Sequence, residues 1–285
     1  QQNKVRFDSL KKVFMVGAPV PAYLHVRMLG SVLPEDGDIY TPYGATECLP
    51  VTSFRGTLML EETCELTSRG RGFCVGEPLP GVDIEIIVVS DDPIPYWSYA
   101  EVLPPGRIGE IVVKGANVSP AYFRTPHHDE AHKIYETEDI DGPFWHRIGD
   151  LGYFDKRGRL WLLGRRSQRI EIEGRVQYIS LPPSRPIRVE IPGRRLYTLG
   201  CEAVFNEHPD VYRCALVGVG PSRYNQLPVL VVEPTGEELP PPDKQKILRN
   251  ALLKVAEKHD ATRMIQTILF NEELPVDVRH NAKIN

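Results

Sequence analysis

Apolar positions in this chain run together in some stretches and recur at strand or helix spacing in others, and these patterns predict its elements. Val13, Phe14, Met15 and Val16 form a short continuous run that predicts a buried strand. Gly17 opens a tight turn, and Pro19 or Pro21 can occupy the first turn of a helix over AYLHVRML. A strand–turn–helix unit of this kind predicts a parallel sheet with crossover helices. From about residue 72 to 116 the texture becomes β: GVDIEIIVVS and GRIGEIVVKG are β-branched runs bounded by Gly and Pro. SRGRGFCVG, just ahead of them, reads as a loop, with Gly76–Gly81 leading into the next strand. LGYFDKRGRLWLLGRR then predicts a hairpin with its turn at Lys156–Gly158.

Beyond Arg165 the pattern shifts again. CEAVFNEHPDVYRCALVGVG reads helix then strand, LPVLVVEP is a strand, and IQTILF is a last one. DKQKILRNALLKVAEKHD is an amphipathic helix with Ile247, Leu248, Ala251, Leu252, Val255 and Ala256 along one stripe. These elements predict a second, smaller α+β domain, with the boundary just after Arg165. At that boundary RIEIEGRVQYIS (169–180) and RVEIPGRRLYTL (188–199) repeat at an offset of 19 residues, which reads as a tandem duplication in a surface loop. Two copies are too few for a solenoid.

Composition narrows the class. The chain has 285 residues, 25% of them charged, with a formal net charge of -4, which is ordinary for a soluble globular protein. No basic excess points to nucleic acid, and no apolar run reaches the roughly 20 residues of a membrane span. Five scattered cysteines, never in C-x-x-C spacing, predict reduced thiols, a cytoplasmic setting and neither a zinc site nor a disulfide scaffold. The chain lacks an initiator methionine and enters at once into strand-like sequence, which reads as a fragment of a longer protein.

Three stretches could carry chemistry. In YTPYGATE (40–47), Pro42 restricts Thr41 to extended backbone, Gly44 frees the chain and Ala45 is small. Thr46 then offers a hydroxyl and Glu47 a hard carboxylate, a pairing suited to phosphate oxygens and Mg²⁺. Taken alone, a plain strand-to-loop turn with a solvated glutamate fits as well. In WHRIGDLGYFDKRGRLWLLGRRSQR, Asp150 between Gly149 and Gly152 reads as a carboxylate on a turn, able to chelate a vicinal diol as acidic residues do on ribose. Arg165, at the hairpin's end, could reach a phosphate or that ribose; an ordinary hairpin with surface charges is the plain alternative. The closing PVDVRHNAKIN places Lys283 near the end, by itself a solvated surface charge. HHDEAH (127–132) looks metal-like but lacks the H-E-x-x-H order, and it reads as a histidine-rich surface helix.

In their order along the chain, GAP (17–19), YGATE (43–47), GEIVVKGANVSPAYF (109–123), RIGDLGYFD…GRLWLLGRR (147–166) and HPDVYRCALVGV (208–219) closely resemble the acyl-adenylate-forming superfamily of acyl-CoA synthetases, luciferases and peptide-synthetase adenylation domains. The resemblance implies an α/β plus α+β fold: the C-terminal portion of a large AMP-binding domain over 1–166, then a small mobile domain over 167–285 with an inserted loop near 173–199. It implies that Gly17, Ala18 and Pro19 line an adenine pocket and that Tyr43, within Tyr43-Gly44-Ala45-Thr46, stacks on adenine. Thr46 would hold phosphate, Glu47 would bind Mg²⁺, Asp150 would hold the ribose hydroxyls with Arg165 assisting, and Ser167 would be the hinge. Lys283 would swing in to stabilise charge as the acyl-adenylate forms.

The departures are informative. The family's Ser/Thr/Gly-rich phosphate loop is not in these residues and is expected upstream of Gln1. Ser167 stands where Asp or Lys is usual, and Gly200 replaces the first Glu of a Pro-x-Glu-x-Glu pattern whose second is Glu202. The repeat lengthens the loop that lines the thiol tunnel in CoA-using members. The ending LPVDVRHNAKIN differs from that of CoA ligases and resembles the olefin β-lactone synthetases of bacterial long-chain hydrocarbon biosynthesis. That resemblance implies ATP, Mg²⁺ and a long-chain β-hydroxy acid as small molecules bound, with other enzymes of the same hydrocarbon pathway as partners. CoA is then not expected; it is required only if the chain is a fatty acyl-CoA ligase instead. His280 could serve as base for the β-hydroxyl or merely orient its loop. The alternative from another class is a non-catalytic nucleotide-binding module.

Overall fold

Strands outnumber helices throughout. The computed structural model describes residues 6–172, 194–220, 224–236 and 238–276, and the backbone alone of 175–179 and 187–191. The chain divides into two compact units, one of Gln1–Leu66 and Gly72–Arg166, the other of Thr67–Arg71 and Ser167–Asn285.

The first unit is built on a nine-stranded sheet. Its strands are β1 (Lys12–Phe14), β2 (Asp38–Ala45), β3 (Cys48–Arg55), β4 (Phe73–Pro78), β5 (Val82–Ile87), β6 (Gly109–Gly115), β7 (Lys133–Tyr135), β8 (Phe144–Phe154) and β9 (Leu160–Arg165). They run in the order β1-β2-β3-β4-β9-β8-β6-β5, with β7 on β8. Among the ladders between these strands, β1 and β2 pair in parallel, joined through helix α1 (Ala22–Arg27), which Pro21 precedes as its N-cap, and the others are antiparallel. The predicted parallel unit is therefore a single crossover at one edge.

That edge corrects an expectation. Phe14 and Val16 are 62% and 53% exposed instead of buried, and among the described residues β1 pairs with β2 alone. The stretch expected as a loop before residue 76 is a wide turn broken at Gly70, where φ is 85°, followed by strand from Phe73. After β3 the chain winds through α2 (Gly56–Leu58), a wide turn at Met59–Thr63, α3 (Cys64–Leu66) and a second wide turn at Thr67–Arg71, then enters β4. Gly76 sits inside β4, where a Cβ would meet the Ser53 carbonyl oxygen at 2.6 Å, so its glycine marks close strand approach and not a turn. The β8–β9 hairpin has its turn where the sequence put it: the Gly158 N–H donates to the Asp155 carbonyl and the Asp155 N–H to the Arg159 carbonyl.

β5 buries alternate residues up to Ile86, while β6, β8 and β9 are buried along most of their length. Ile84 and Ile86 of β5, Ile111 and Val113 of β6, Leu151 of β8 and Leu160 of β9 are all buried. Inside it lies an ion pair: Arg147 and Glu110 are 1% and 0% exposed and joined by two bonds, Nε to Oε1 at 3.0 Å and Nη2 to Oε2 at 2.7 Å. Arg147 spends its other donors on the Ser90 and Asp92 carbonyls, so the charges are paired and satisfied. The pair locks β8 to β6 three residues before Asp150.

The second unit holds α5 (Thr198–Phe205), then β14 (Val211–Val219), β15 (Leu227–Pro234), α6 (Pro242–Glu257) and β16 (Thr267–Phe270). β14 and β15 are antiparallel, while β15 and β16 are parallel across the α6 crossover. Leu248, Leu252 and Ala256 of α6, spaced four apart, are buried against Leu230, Val232 and Ile268. Ile247, expected in the same stripe, is 69% exposed, because at about 100° per residue it lies at the rim of that arc.

The internal repeat is not a loop. β10 (Ile170–Ile172) pairs with β13 (Arg194–Leu196) and β11 (Arg175–Ile179) with β12 (Ile187–Ile191), both antiparallel. A step of five from Ile170 to Arg175 on one arm matches a step of five from Leu196 back to Ile191 on the other, so the two ladders share one register. Duplicated segments rich in alternating Ile and Val supply matched strands, which is why pairing wins over a loop. At the base, buried Glu171 accepts from Arg169 Nε at 2.8 Å and Arg195 Nε at 3.1 Å.

Candidate functional site

β2 and β3 form a tight hairpin: Ala45 pairs with Cys48, which leaves Thr46 and Glu47 as its two-residue tip. The ladder shifts register between Tyr43 and Ala45, and at Gly44 a Cβ would collide with the Cys48 carbonyl oxygen. Glycine is required there by space, and the ladder carries a bulge at that point. Thr46 is exposed and Glu47 half-buried. The turn read from the sequence is thus a hairpin, and it presents a hydroxyl and a carboxylate side by side.

A second segment braces the tip from behind. The Ser119 N–H donates to the Glu47 carbonyl at 2.7 Å, Val118 bridges to Cys48, and Asn117 Nδ2 donates to the Pro50 carbonyl at 2.7 Å. Burial pushes the Glu47 carboxyl up, but its own backbone N–H, the Tyr122 hydroxyl, and the nearby His146 and His132 outweigh that and hold it below the usual value. Glu47 is therefore an anion at neutral pH.

Asp150 lies within β8, not on a turn, and is only 6% exposed. Strand pairing sets it opposite Arg165, whose Nη1 meets Oδ1 at 2.9 Å, while the Tyr43 hydroxyl donates to Oδ2 at 2.8 Å across 107 residues of sequence. Burial and the Asp150 charge together push the Tyr43 hydroxyl well up, so it stays a donor. One side chain thereby links the Thr46–Glu47 hairpin to Asp150 and Arg165. Gly17, Ala18 and Pro19 follow the end of β1, and Tyr43 lies three residues past Tyr40, the β2 partner of Phe14.

Sequence reading missed the groups behind Glu47. Tyr122 follows the bracing segment, and its N–H donates to Asp129 Oδ1 at 3.1 Å on α4 (Pro126–His132). His128, His132 and His146 surround its ring, with centroids at 5.4, 5.9 and 6.3 Å. Lys133, 1% exposed, donates to the Ser119 carbonyl and stands 4.2 Å from the Phe144 ring centroid; burial lowers it to about 8. His146 is 1% exposed with no hydrogen-bond partner on Nδ1 among the described residues, and burial first, then Lys133, lowers it to about 4. The histidine-rich stretch is a helix as expected, and among the described residues no group of three or more His, Cys, Asp or Glu is placed to hold a metal. The available signal was the Tyr of SPAYF and the His beside RIGD.

Ser167 lies in the short 3-10 turn Arg166–Gln168, at the junction of the two units, and Arg166 Nη1 donates to the Ser90 carbonyl at 2.8 Å. Lys283 and His280 lie outside the described residues. Glu202 accepts the Leu216 N–H at 2.9 Å, and burial raises its carboxyl to about 7. All five cysteines are free thiols.

Comparison with known proteins places these residues in context. Residues 1–123 match the family described as AMP-binding enzyme. The chain is 40% identical over 281 residues to the olefin beta-lactone synthetase of Stenotrophomonas maltophilia (strain K279a), covering 97% of this chain and 46% of that protein. It is 39% identical over 272 residues to the olefin beta-lactone synthetase of Xanthomonas campestris pv. campestris, covering 94% and 44%. The chain thus spans about half the length of these curated relatives. Among solved structures, o-succinylbenzoate CoA synthetase (MenE) from Bacillus subtilis, in complex with ATP and magnesium ion, aligns with a TM-score of 0.64 at 20% identity over 98% of this chain and 46% of that one. The amide bond synthetase McbA from Marinactinospora thermotolerans aligns with a TM-score of 0.66 at 24% identity over 97% and 45%. Residues 1–123 are thus similar in sequence to the AMP-binding enzyme family, and the chain shares the fold of about half of each synthetase structure just named.

Proposed function

We propose that the protein carrying this chain activates a long-chain β-hydroxy acid with ATP and then closes it to a β-lactone. The substrate carboxylate attacks the α-phosphorus of ATP; the P–O bond to pyrophosphate breaks and an acyl-AMP forms. The β-hydroxyl oxygen then attacks the acyl carbon, its proton passes to a base, and AMP leaves as the four-membered ring closes. Intramolecular attack requires no CoA. The observation that carries this reading is the Thr46–Glu47 tip, joined through Tyr43 to Asp150 and Arg165. The lactone as product is supported by the names of the two relatives at about 40% identity.

The donor set fits a magnesium ion. Mg²⁺ takes hard oxygen ligands, keeps several waters and needs only one or two carboxylates beside substrate phosphates, and Glu47 at the half-buried hairpin tip is such a carboxylate. Bound there, it would neutralise phosphate charge. In this reading Thr46 donates to a phosphate oxygen, and Gly17, Ala18 and Pro19 line the adenine. Tyr43 stacks on that adenine, and Asp150 takes the ribose hydroxyls with Arg165 beside it. A diol reaching Asp150 displaces the Tyr43 hydroxyl from Oδ2, which then leaves the ring as the adenine platform. Ser167 serves as hinge, Lys283 stabilises the charge that builds on carboxylate and α-phosphate, and His280 orients the closing loop or takes the β-hydroxyl proton. The protein works in the cytoplasm beside other enzymes of the same hydrocarbon pathway.

The test is Lys283→Ala in the whole protein. Adenylate formation, followed by pyrophosphate release, falls about 10²-fold or more while ATP binding changes by less than about threefold. Loss of ATP binding instead would overturn the assignment. A mass spectrum of the products separates the second reading: an acyl-CoA made only with CoA present would mean a ligase.

A further inference from the structure

We propose that Lys133 is a positioning residue for the Thr46–Glu47 tip, acting through Ser119. This rests on the reading of Glu47 as the Mg²⁺-binding carboxylate. The ladder of β2 and β3 ends at the Ala45–Cys48 pair, so Thr46 and Glu47 have no cross-strand partners and take their support from outside the hairpin. Segment 117–119 supplies it. Asn117 Nδ2 donates to the Pro50 carbonyl, Val118 bridges to Cys48, and the Ser119 N–H donates to the Glu47 carbonyl at 2.7 Å.

The segment is itself irregular and is held at two points. The Val118 N–H donates to the Gly115 carbonyl at 3.1 Å, which ties it back to the end of β6. At its other end the Lys133 ammonium donates to the Ser119 carbonyl. Ser119 is thus bonded through both of its backbone groups, one to the tip and one to Lys133. Lys133 is 1% exposed, and a charge so deeply buried is costly unless it is well satisfied. Besides that carbonyl the ammonium faces the Phe144 and Tyr122 rings, with centroids at 4.2 and 6.0 Å. A charge-assisted bond holds a carbonyl more firmly than a neutral donor does, which is what a buried ammonium adds here over an apolar side chain. β7 sets its place, because Lys133 pairs with His146 on β8, the strand that also carries Asp150. One strand therefore places Asp150 directly, and the backbone of Glu47 through Lys133 and Ser119.

The experiment compares the parent with Lys133→Met, which fills a similar space without charge or donor, in the whole protein. Mn²⁺ affinity in the presence of ATP is read by loss of the free-ion EPR signal, and amide exchange by mass spectrometry. Lys133→Met is expected to weaken Mn²⁺ about tenfold, as loss of an outer partner of a metal ligand does. Peptides covering 117–121 should exchange at least about tenfold faster, while those of the β8–β9 hairpin keep their protection. Metal-free ATP binding should be unchanged. Faster exchange across the whole chain, or equal losses of metal-free and metal-bound ATP affinity, would make Lys133 a residue of the fold alone and overturn the inference. So would Glu47→Gln weakening the metal while Lys133→Met leaves it intact. No effect of Glu47→Gln on the metal would overturn the site reading, and this inference with it. Should Lys133→Met fail to fold, Phe144→Leu keeps the ammonium and removes the ring beside it. Mn²⁺ binding about threefold weaker is then expected, and an unchanged affinity would count against the proposal.

Discussion

The β2–β3 tip and the β8–β9 pair each bring one carboxylate to the candidate site, and they hold it in opposite ways. Glu47 stands on a turn, half-buried, and its constraints come from a segment about 70 residues further along the chain. Asp150 stands inside a strand, 6% exposed, held by its cross-strand partner Arg165 and by Tyr43. A tip residue can be replaced at little cost to the fold, whereas a buried carboxylate with two partners belongs to the fold as much as to the site. Activity and stability should therefore separate at Glu47 and travel together at Asp150.

The largest effect expected is on chemistry at the tip. Glu47→Gln in the whole protein should slow adenylate formation about 10²-fold or more while unfolding stability stays within about 0.5 kcal/mol. A matching loss of stability would erase the contrast. Next comes pH. Burial holds His146 at about 4 in the folded protein against an ordinary 6.5, so the folded form binds fewer protons than the unfolded one between those values. Its contribution, up to about 3 kcal/mol, is present above pH 6.5 and lost as pH falls toward 4. Denaturant midpoints measured from pH 7 to 4 should fall less steeply in His146→Gln than in the parent, and parallel curves would show that this histidine is not buried neutral.

A smaller effect is expected at the strand. Asp150→Asn should cost about 2 kcal/mol of stability, because Arg165 loses its charge partner, and should raise the KM for ATP as well. An unchanged melting curve would mean that the pair contributes nothing to the fold. The smallest expected change is at their link: Tyr43→Phe removes one bond to Asp150 and should cost about 1 kcal/mol, read by denaturant titration.

How much of this was legible in the sequence depends on where the partners are. β14, β15, α6 and β16 were readable because short-range periodicity suffices for them. β2 and β3 were not, since Pro42, Gly44 and Pro50 break the run, and pairing with each other supplies what propensity lacks. The repeat at 169–199 reads as a loop one copy at a time, and becomes strands once the copies face each other.

The sequence alone determined the residue types at Thr46, Glu47, Asp150 and Arg165, their order, and the resemblance they carry. It also determined the β8–β9 turn, because that turn closes within a few residues. Only the tertiary structure decided that Asp150 is buried in a strand and that Tyr43 reaches it. Only the structure sets a tyrosine, a lysine and three histidines behind Glu47. Local patterns encode local conformation, whereas contacts between distant positions arise when the sheet closes and burial brings their side chains together.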